Sequence, residues 1–383
     1  DLDLKYEDQT LAVYPAPLAP HPYPYPFPMD REAGIEAYQA MVTADEYKAR
    51  LARGDKGVLH AYTAEGESPV IQVEITKAEA TADGVMTYEF QPVAGGDLPE
   101  WHAGAHLDIV IAPEFLRQYS MSGNPKDRRS YQIAVLKEDD GRGGSKLMHR
   151  IFTQGRRLFI SKPINHFPLD PSATKTILMG GGIGVTPLVA MAHELHATNR
   201  DFVLHYSGRS RSKMGLLDDI ANFPWADKVH LHITDEGTRI NLNAALRYTH
   251  GAHVYTCGAE RYMQAVLDAA TQAGFPEDAQ HLEYFSVPEQ PDYANHPFTL
   301  RLARSGRDLY VPANKSAADI LLENGIAVDV KCADGICGVC KCDLKSGVVE
   351  HRDFVLSKAQ RDTAIILCQS RAADKDGIIE VDL

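Results

Sequence analysis

Cys332-Ala333-Asp334-Gly335-Ile336-Cys337-Gly338-Val339-Cys340, followed after 27 intervening residues by Cys368, is the stretch on which the reading of this chain turns. The 383 residues hold six cysteines, and five of them, these four and Cys342, fall within 37 positions near the C-terminus. Thiols crowded at one end of a long chain favour metal ligation in a reducing compartment over a disulfide framework. The spacing is C-x4-C-x2-C with a distant fourth cysteine, the plant-type [2Fe–2S] pattern. Two sulfide-bridged irons need four thiolates, two on each iron. One wrapping loop supplies Cys332, Cys337 and Cys340, and Cys368 comes from a separate segment. Gly335 and Gly338 let the backbone approach closely and turn amides toward sulfur. A structural zinc is the alternative, but zinc modules pair cysteines in two matched knuckles. Cys342 exceeds the ligand count and reads as a buried bystander.

The cysteines lie in a compact unit expected over 298–383, behind a polar, proline-bearing linker at 287–297. Before the linker, strands and helices alternate over 171–286. Thr176–Met179, Phe202–Tyr206, Val229–Ile233 and His253–Thr256 read as strands, and Leu188–Ala197 and Arg261–Ala273 as helices. That alternation predicts a doubly wound α/β domain with a parallel sheet. Over 66–170 the pattern is different. Val70–Ile75, Leu107–Ile111 and Tyr131–Leu136 are β-rich runs punctuated by Gly and Pro, which predicts an antiparallel barrel. Residues 1–65 stand apart. Pro22 to Pro28 strictly alternates proline with aromatics and predicts extended polyproline II, and Thr43–Glu46 reads as a capping box opening a helix to Gly54. This segment is either an arm lying on the body of the protein or a docking segment for another subunit.

The chain as a whole is multidomain, α+β and α/β. Its composition is 44% apolar and 24% charged, average for a globular protein. The net charge of −13 excludes a phosphate-gripping nucleic-acid binder. The apolar run Ile177–Ala192 is broken by four glycines and a proline, so no membrane span is expected. No basic and then apolar leader is visible, and a cytoplasmic location is the expectation.

Three further motifs carry chemistry. Arg117-Gln118-Tyr119-Ser120 combines a phosphate-gripping fork, an aromatic face and a hydroxyl. Gly141-Arg142-Gly143-Gly144-Ser145 is either an ordinary hairpin turn or a nest of amides for a phosphate. Gly180-Gly181-Gly182-Ile183-Gly184-Val185-Thr186-Pro187 joins a predicted strand to a predicted helix, a place where backbone amides meet a pyrophosphate.

In this order the motifs resemble the phthalate dioxygenase reductase family, over about residues 66–383 and not over the N-terminal arm. The resemblance implies an FMN-binding β-barrel, an NAD-binding α/β domain and a plant-type ferredoxin domain of β-grasp fold. It implies that Arg117, Tyr119, Ser120, the backbone of Ala134, Val135 and Lys137, and Gly143, Gly144 and Ser145 hold FMN, with Ser120 near N5. Gly181, Gly182, Gly184, Thr186 and Pro187 match the family's G-G-I-G-x-T-P. Cys257-Gly258 matches its Cys-Gly beside the nicotinamide, although Ala259 stands where proline is usual, and a small buried Cys at a strand end explains Cys257 equally. Phe285 matches the aromatic that covers the flavin, or is a core residue. Ser207 and Arg209 are expected to face the adenosine ribose. Arg209 and Arg211 suit a 2′-phosphate by type, but the family uses NADH.

The expected function follows. A hydride from NADH brings two electrons at once, a flavin releases them one at a time, and a [2Fe–2S] centre near about −400 mV accepts singly. No side chain is expected to act as catalytic acid or base. The expected partner is a terminal oxygenase, of Rieske and mononuclear-iron type, that hydroxylates or demethylates an aromatic or small organic compound. A haem oxygenase as acceptor, or a non-catalytic flavoprotein with a structural zinc, are the alternatives.

Overall fold

The computed structural model describes residues 70–383 apart from 113–114, 140–142, 286–292, 331–332, 337 and 357. The expected polyproline arm, the helix after Thr43, Gly141, Arg142, and the ligands Cys332 and Cys337 lie outside the described residues. The chain divides into two compact units, one ending at Glu283 and one running from Tyr284 to Leu383.

The first unit opens with strands β1 (Val70–Ala82), β2 (Val85–Pro92), β3 (Ala105–Ala112), β4 (Phe115–Ser120) and β5 (Tyr131–Leu136). Helix α1 (Gly144–Ile151) follows, then β6 (Arg157–Ser161) and the short β7 (Ile164–Asn165). The order is β4-β3-β6-β1-β2-β5 with β7 on β3, and every pairing is antiparallel. An isolated bridge between Met121, just past β4, and Ile133 on β5 joins the two ends of that order. The sheet is therefore closed into a barrel. Two bulges in β1 let one long strand turn from β6 to β2. Alternate residues such as Val73, Ile75, Tyr88, Phe90, Leu107 and Ile133 point into the core.

The rest of the unit is a parallel sheet with strands β8 (Lys175–Gly181), β9 (Phe202–Gly208), β10 (Val229–Ile233), β11 (Ala252–Cys257) and β12 (Gln280–Glu283). Between them come helices α2 (Val185–Ala197), α3 (Leu217–Asn222), α4 (Leu242–Ala245) and α5 (Glu260–Gln272). The order β10-β9-β8-β11-β12 reverses between β8 and β11. Leu178, Leu204 and Tyr255 pack with α2 residues on one face, and Ile177, Met179 and Val254 pack with Val266 and Ala270 of α5 on the other. Helices cover both faces, as a doubly wound fold requires. Brief strands of continuous apolar character are what such burial selects.

The second unit contains β13 (Phe298–Leu302), β14 (Arg307–Val311), α6 (Ala317–Glu323), β15 (Lys341–Ser346), β16 (Val349–Glu350), α7 (Lys358–Arg361), β17 (Ala364–Ile366), β18 (Arg371–Ala372) and β19 (Ile378–Val381). The five-stranded order is β14-β13-β19-β15-β17, with β13 and β19 parallel, and β16 pairs β18 separately. This mixed sheet grips α6, whose N-terminus is closed by a reciprocal Ser316–Asp319 capping box. The described end of the expected linker is held here. Arg352 is buried, bonds Glu350, Asn295 Oδ1 and Ala294 O, and stacks on Tyr293. Arg371, also buried, donates to the carbonyls of His296, Pro312 and Lys315.

Candidate functional site

The bridge that closes the barrel sets Tyr119 and Ser120, at the end of β4, beside Ala134 and Val135 on β5. The Val135 carbonyl takes a bond from His149 on α1 at 3.0 Å, and Lys137 N donates to Gly84 O at 2.8 Å. The glycine-rich stretch is not a hairpin turn in its described part. Gly143 (φ 86°) is the N-cap of α1, and Gly144 is its first residue. A Cβ built on Gly144 would meet Arg117 Nε at 2.8 Å and Cγ at 2.9 Å. The Arg117 side chain therefore crosses the amino end of an eight-residue helix, where amides converge and no acid stands in the first turn. A guanidinium, a helix N-terminus and Ser145 form a cradle suited to phosphate. Burial pushes the Tyr119 phenol up, against the pull of Arg117, so Tyr119 stays neutral and offers its ring.

Ser120 Oγ donates to Glu283 Oε2 at 3.0 Å, joining residues 163 positions apart. Glu283 ends β12 and is in register with Cys257 on β11. Burial pushes its carboxyl up to about 7, and the Ser120 hydrogen bond opposes that in part. Cys257 is fully buried, which raises its thiol, and Glu283 adds to the rise. Sequence reasoning missed Glu283. The only signal was an acidic residue two positions before the aromatic Phe285. Phe285 itself is exposed and belongs to the second unit.

Cys257-Gly258 meets the Gly180–Gly184 loop at the sheet's switch point, where ligands bind doubly wound folds. A Cβ on Gly184 would overlap the Cys257 carbonyl and Gly258 N, and one on Gly181 would lie 2.8 Å from the Tyr262 ring. These glycines are demanded by contact of protein with protein. Gly182 alone in the loop has a left-handed φ of 54° and open space over its Cα. Thr186 is buried and its hydroxyl donates to Ile183 O at 3.0 Å, and Pro187 is buried in the first turn of α2. Their side chains shape the turn. Tyr262 also receives the Ser207 hydroxyl at 3.4 Å, and Arg209 lies exposed just beyond.

In the second unit, Cys340 and Cys368 are buried in one hydrophobic cluster, linked through Leu367 N to Cys340 O at 3.2 Å. The loop before Cys340 has left-handed residues at Ala333, Gly335 and Gly338. It is clamped from outside: Gln369 Nε2 donates to Ala333 O at 2.6 Å, and Phe354 N to Gly335 O at 3.1 Å. Buried Asp353 accepts from Leu356 N and Ser370 Oγ and so steadies the clamping segment. Cys342 sits on β15 opposite Ile365, half-buried and outside the loop. A curled loop ending at buried Cys340, with buried Cys368 in the same cluster, fits the donor set of an iron–sulfur centre.

Residues 300–373 match the family model of the 2Fe-2S iron-sulfur cluster binding domain. The vanillate O-demethylase oxidoreductase of a Pseudomonas strain is 36% identical over 319 residues, 82% of this chain and all of that protein. The solved phthalate dioxygenase reductase is 33% identical, with a TM-score of 0.59, covering 82% of this chain and 98% of that one. The chain belongs to the phthalate dioxygenase reductase family. An intact type IV self-sufficient cytochrome P450 monooxygenase also matches, at 34% identity and a TM-score of 0.74 over 84% of this chain. This chain spans less than half of that protein, 42%. Membership explains the pairing of a closed barrel with a doubly wound sheet in one unit and a β-grasp sheet in the other. Among the described residues no helix is long and apolar enough to cross a membrane.

Proposed function

We propose that the chain is the reductase component of a multicomponent oxygenase. It draws electrons from NADH through FMN and a [2Fe–2S] centre to a terminal oxygenase of Rieske type, acting on an aromatic or small organic compound. The observation that carries this reading is the Ser120–Glu283 bond, which brings the end of the barrel motif to the strand beside Cys257-Gly258. The modules proposed are 66–170 for FMN, 171–286 for the nicotinamide nucleotide and 298–383 for the iron–sulfur centre.

The residues present fit these groups. Arg117, Gly143, Gly144 and Ser145 would hold the FMN phosphate, and Tyr119, Ser120 and the Ala134–Val135 backbone the ring. Cys332, Cys337, Cys340 and Cys368 would hold the irons. When bound, FMN takes an electron pair from hydride and the two-iron centre accepts electrons singly. The protein's part is placement. Gly182 leaves room over the loop for the nucleotide, while Gly184 and Gly258 bring the loop and the end of β11 together. Ser120 is held by Glu283 where a hydride acceptor would lie. Gln369, Phe354 and Asp353 keep the cysteine loop curled.

The test is anaerobic titration of the purified holoprotein with NADH. Flavin bleaching followed by the EPR signal of a reduced two-iron centre supports the reading. Full iron and acid-labile sulfide without that signal overturns it. The likeness to the P450 gives a second reading, a haem acceptor. Reconstituted turnover with a Rieske oxygenase, set against a P450, decides between the two.

A further inference from the structure

The turn Ser207–Arg211 leaves β9 and the turn Thr234–Glu236 leaves β10, so they are neighbours at the carboxyl ends of adjacent parallel strands. In doubly wound sheets this end of the second strand meets the adenosine ribose. An acid there suits a 2′-hydroxyl and an arginine suits a 2′-phosphate. By residue type the turn is built for a phosphate, because Arg209 and Arg211 are both exposed. The structure removes one of the two. Arg211 Nε and Nη2 donate to the two Glu236 carboxylate oxygens, each at 2.9 Å. Asp235 N donates to Arg209 O at 2.9 Å and ties the acidic turn to the basic one. The shared hydrogen bonds hold the Glu236 carboxyl below its ordinary range, so the pair stays charged at neutral pH. A guanidinium fork can grip a phosphate through the same two N–H groups, and here both are taken. So exposed a pair adds little to stability. Its effect is on local charge: a dianionic 2′-phosphate would meet a neutral pair with a carboxylate in front.

We propose that Glu236, by engaging the Nε–Nη2 edge of Arg211, masks a latent 2′-phosphate site and is the residue that sets NADH above NADPH. The proposal deepens the reductase reading and rests on it. The test compares binding of AMP and of 2′-phospho-AMP to the wild-type holoprotein and to Glu236→Gln, by calorimetry. Flavin reduction by NADH and by NADPH is followed in parallel. Glu236→Gln is expected to tighten 2′-phospho-AMP relative to AMP by about tenfold or more, the worth of one charged hydrogen bond. The NADPH KM is expected to fall in step. Adding Arg211→Gln should return the ratio to its starting value. An unchanged ratio in Glu236→Gln overturns the proposal, as does a gain that survives Arg211→Gln. If wild-type protein binds neither nucleotide and neither coenzyme bleaches the flavin, the reductase reading falls and this assignment falls with it.

Discussion

Glu283 places a pH dependence in the first unit that can be worked out from the structure. Its carboxyl rises from the ordinary 4.5 to about 7, first because of burial, with the Ser120 hydroxyl pulling the other way. A raised acid binds its proton more tightly folded than unfolded. Its contribution to stability is therefore full below about pH 4.5 and is lost as pH rises to about 7. At about 1.4 kcal/mol per tenfold in proton affinity, the loss is bounded at ~3 kcal/mol. Partial exposure of Glu283 trims that figure. Other groups titrate in the same window, so the informative quantity is the difference from Glu283→Gln, which mimics the protonated acid at every pH. Both tryptophans, Trp101 and Trp225, lie in the first unit, and their fluorescence in urea follows that unit alone. With FMN in excess throughout, wild type is expected to lose stability against Glu283→Gln between pH 5 and pH 8, by about 1–3 kcal/mol. Ser120→Ala removes the donor that favours the carboxylate, so the same loss should move to higher pH. A wild-type-minus-Gln difference that stays flat over this range would refute the account of Glu283 as a desolvated acid.

Five further substitutions test the geometry. Gly144→Ala drives a Cβ into Arg117 and should weaken FMN about tenfold or more, read by flavin fluorescence, with little change in the tryptophan unfolding curve. Gly184→Ala forces a Cβ onto the Cys257 backbone and should cost about 1–3 kcal/mol of first-unit stability. Gly182→Ala meets nothing within 4 Å, pays about 1 kcal/mol for its positive φ, and should lose NADH affinity out of proportion to stability, as a pair of titrations would show. Cys368→Ser should abolish the two-iron EPR signal while NADH still bleaches the flavin. Cys342→Ser should keep the signal, because Cys342 lies outside the loop.

What the sequence made legible was local. Residues 131–136 are a β-rich run and form β5, and the buried runs at 176–179 and 202–206 sit inside β8 and β9. Strand and helix periods are properties of neighbouring residues, so they survive without tertiary information. The features that were not legible depend on contact at long range. Helix α1 hides behind glycines that read as a turn, because its reason for forming is the Arg117 side chain and a buried face of Leu147, Met148 and Ile151. Strand β12 is four half-buried residues with no alternation, made a strand by its parallel partner β11. Glu283 has no motif of its own. It matters because Ser120, far back in the chain, has been folded against it.

The glycine loop shows how much of a motif's composition the fold itself can demand. Four glycines in Gly180–Gly184 suggest a backbone thinned to admit a pyrophosphate. In the structure, Gly181 and Gly184 are small because Tyr262 and the Cys257–Gly258 peptide lie against them, and only Gly182 opens onto free space. The need for a bare backbone is mainly internal. The loop after β8 must touch the end of β11 for the switch point to exist, and Thr186 and Pro187 are spent on fixing that turn. The open space over Gly182 is a consequence of that contact. At the proposed nucleotide site, a substitution at Gly184 should therefore act on binding through the position of Cys257, and one at Gly182 directly. The ratio of their effects on stability to their effects on NADH affinity separates a glycine that serves the fold from one that serves the ligand.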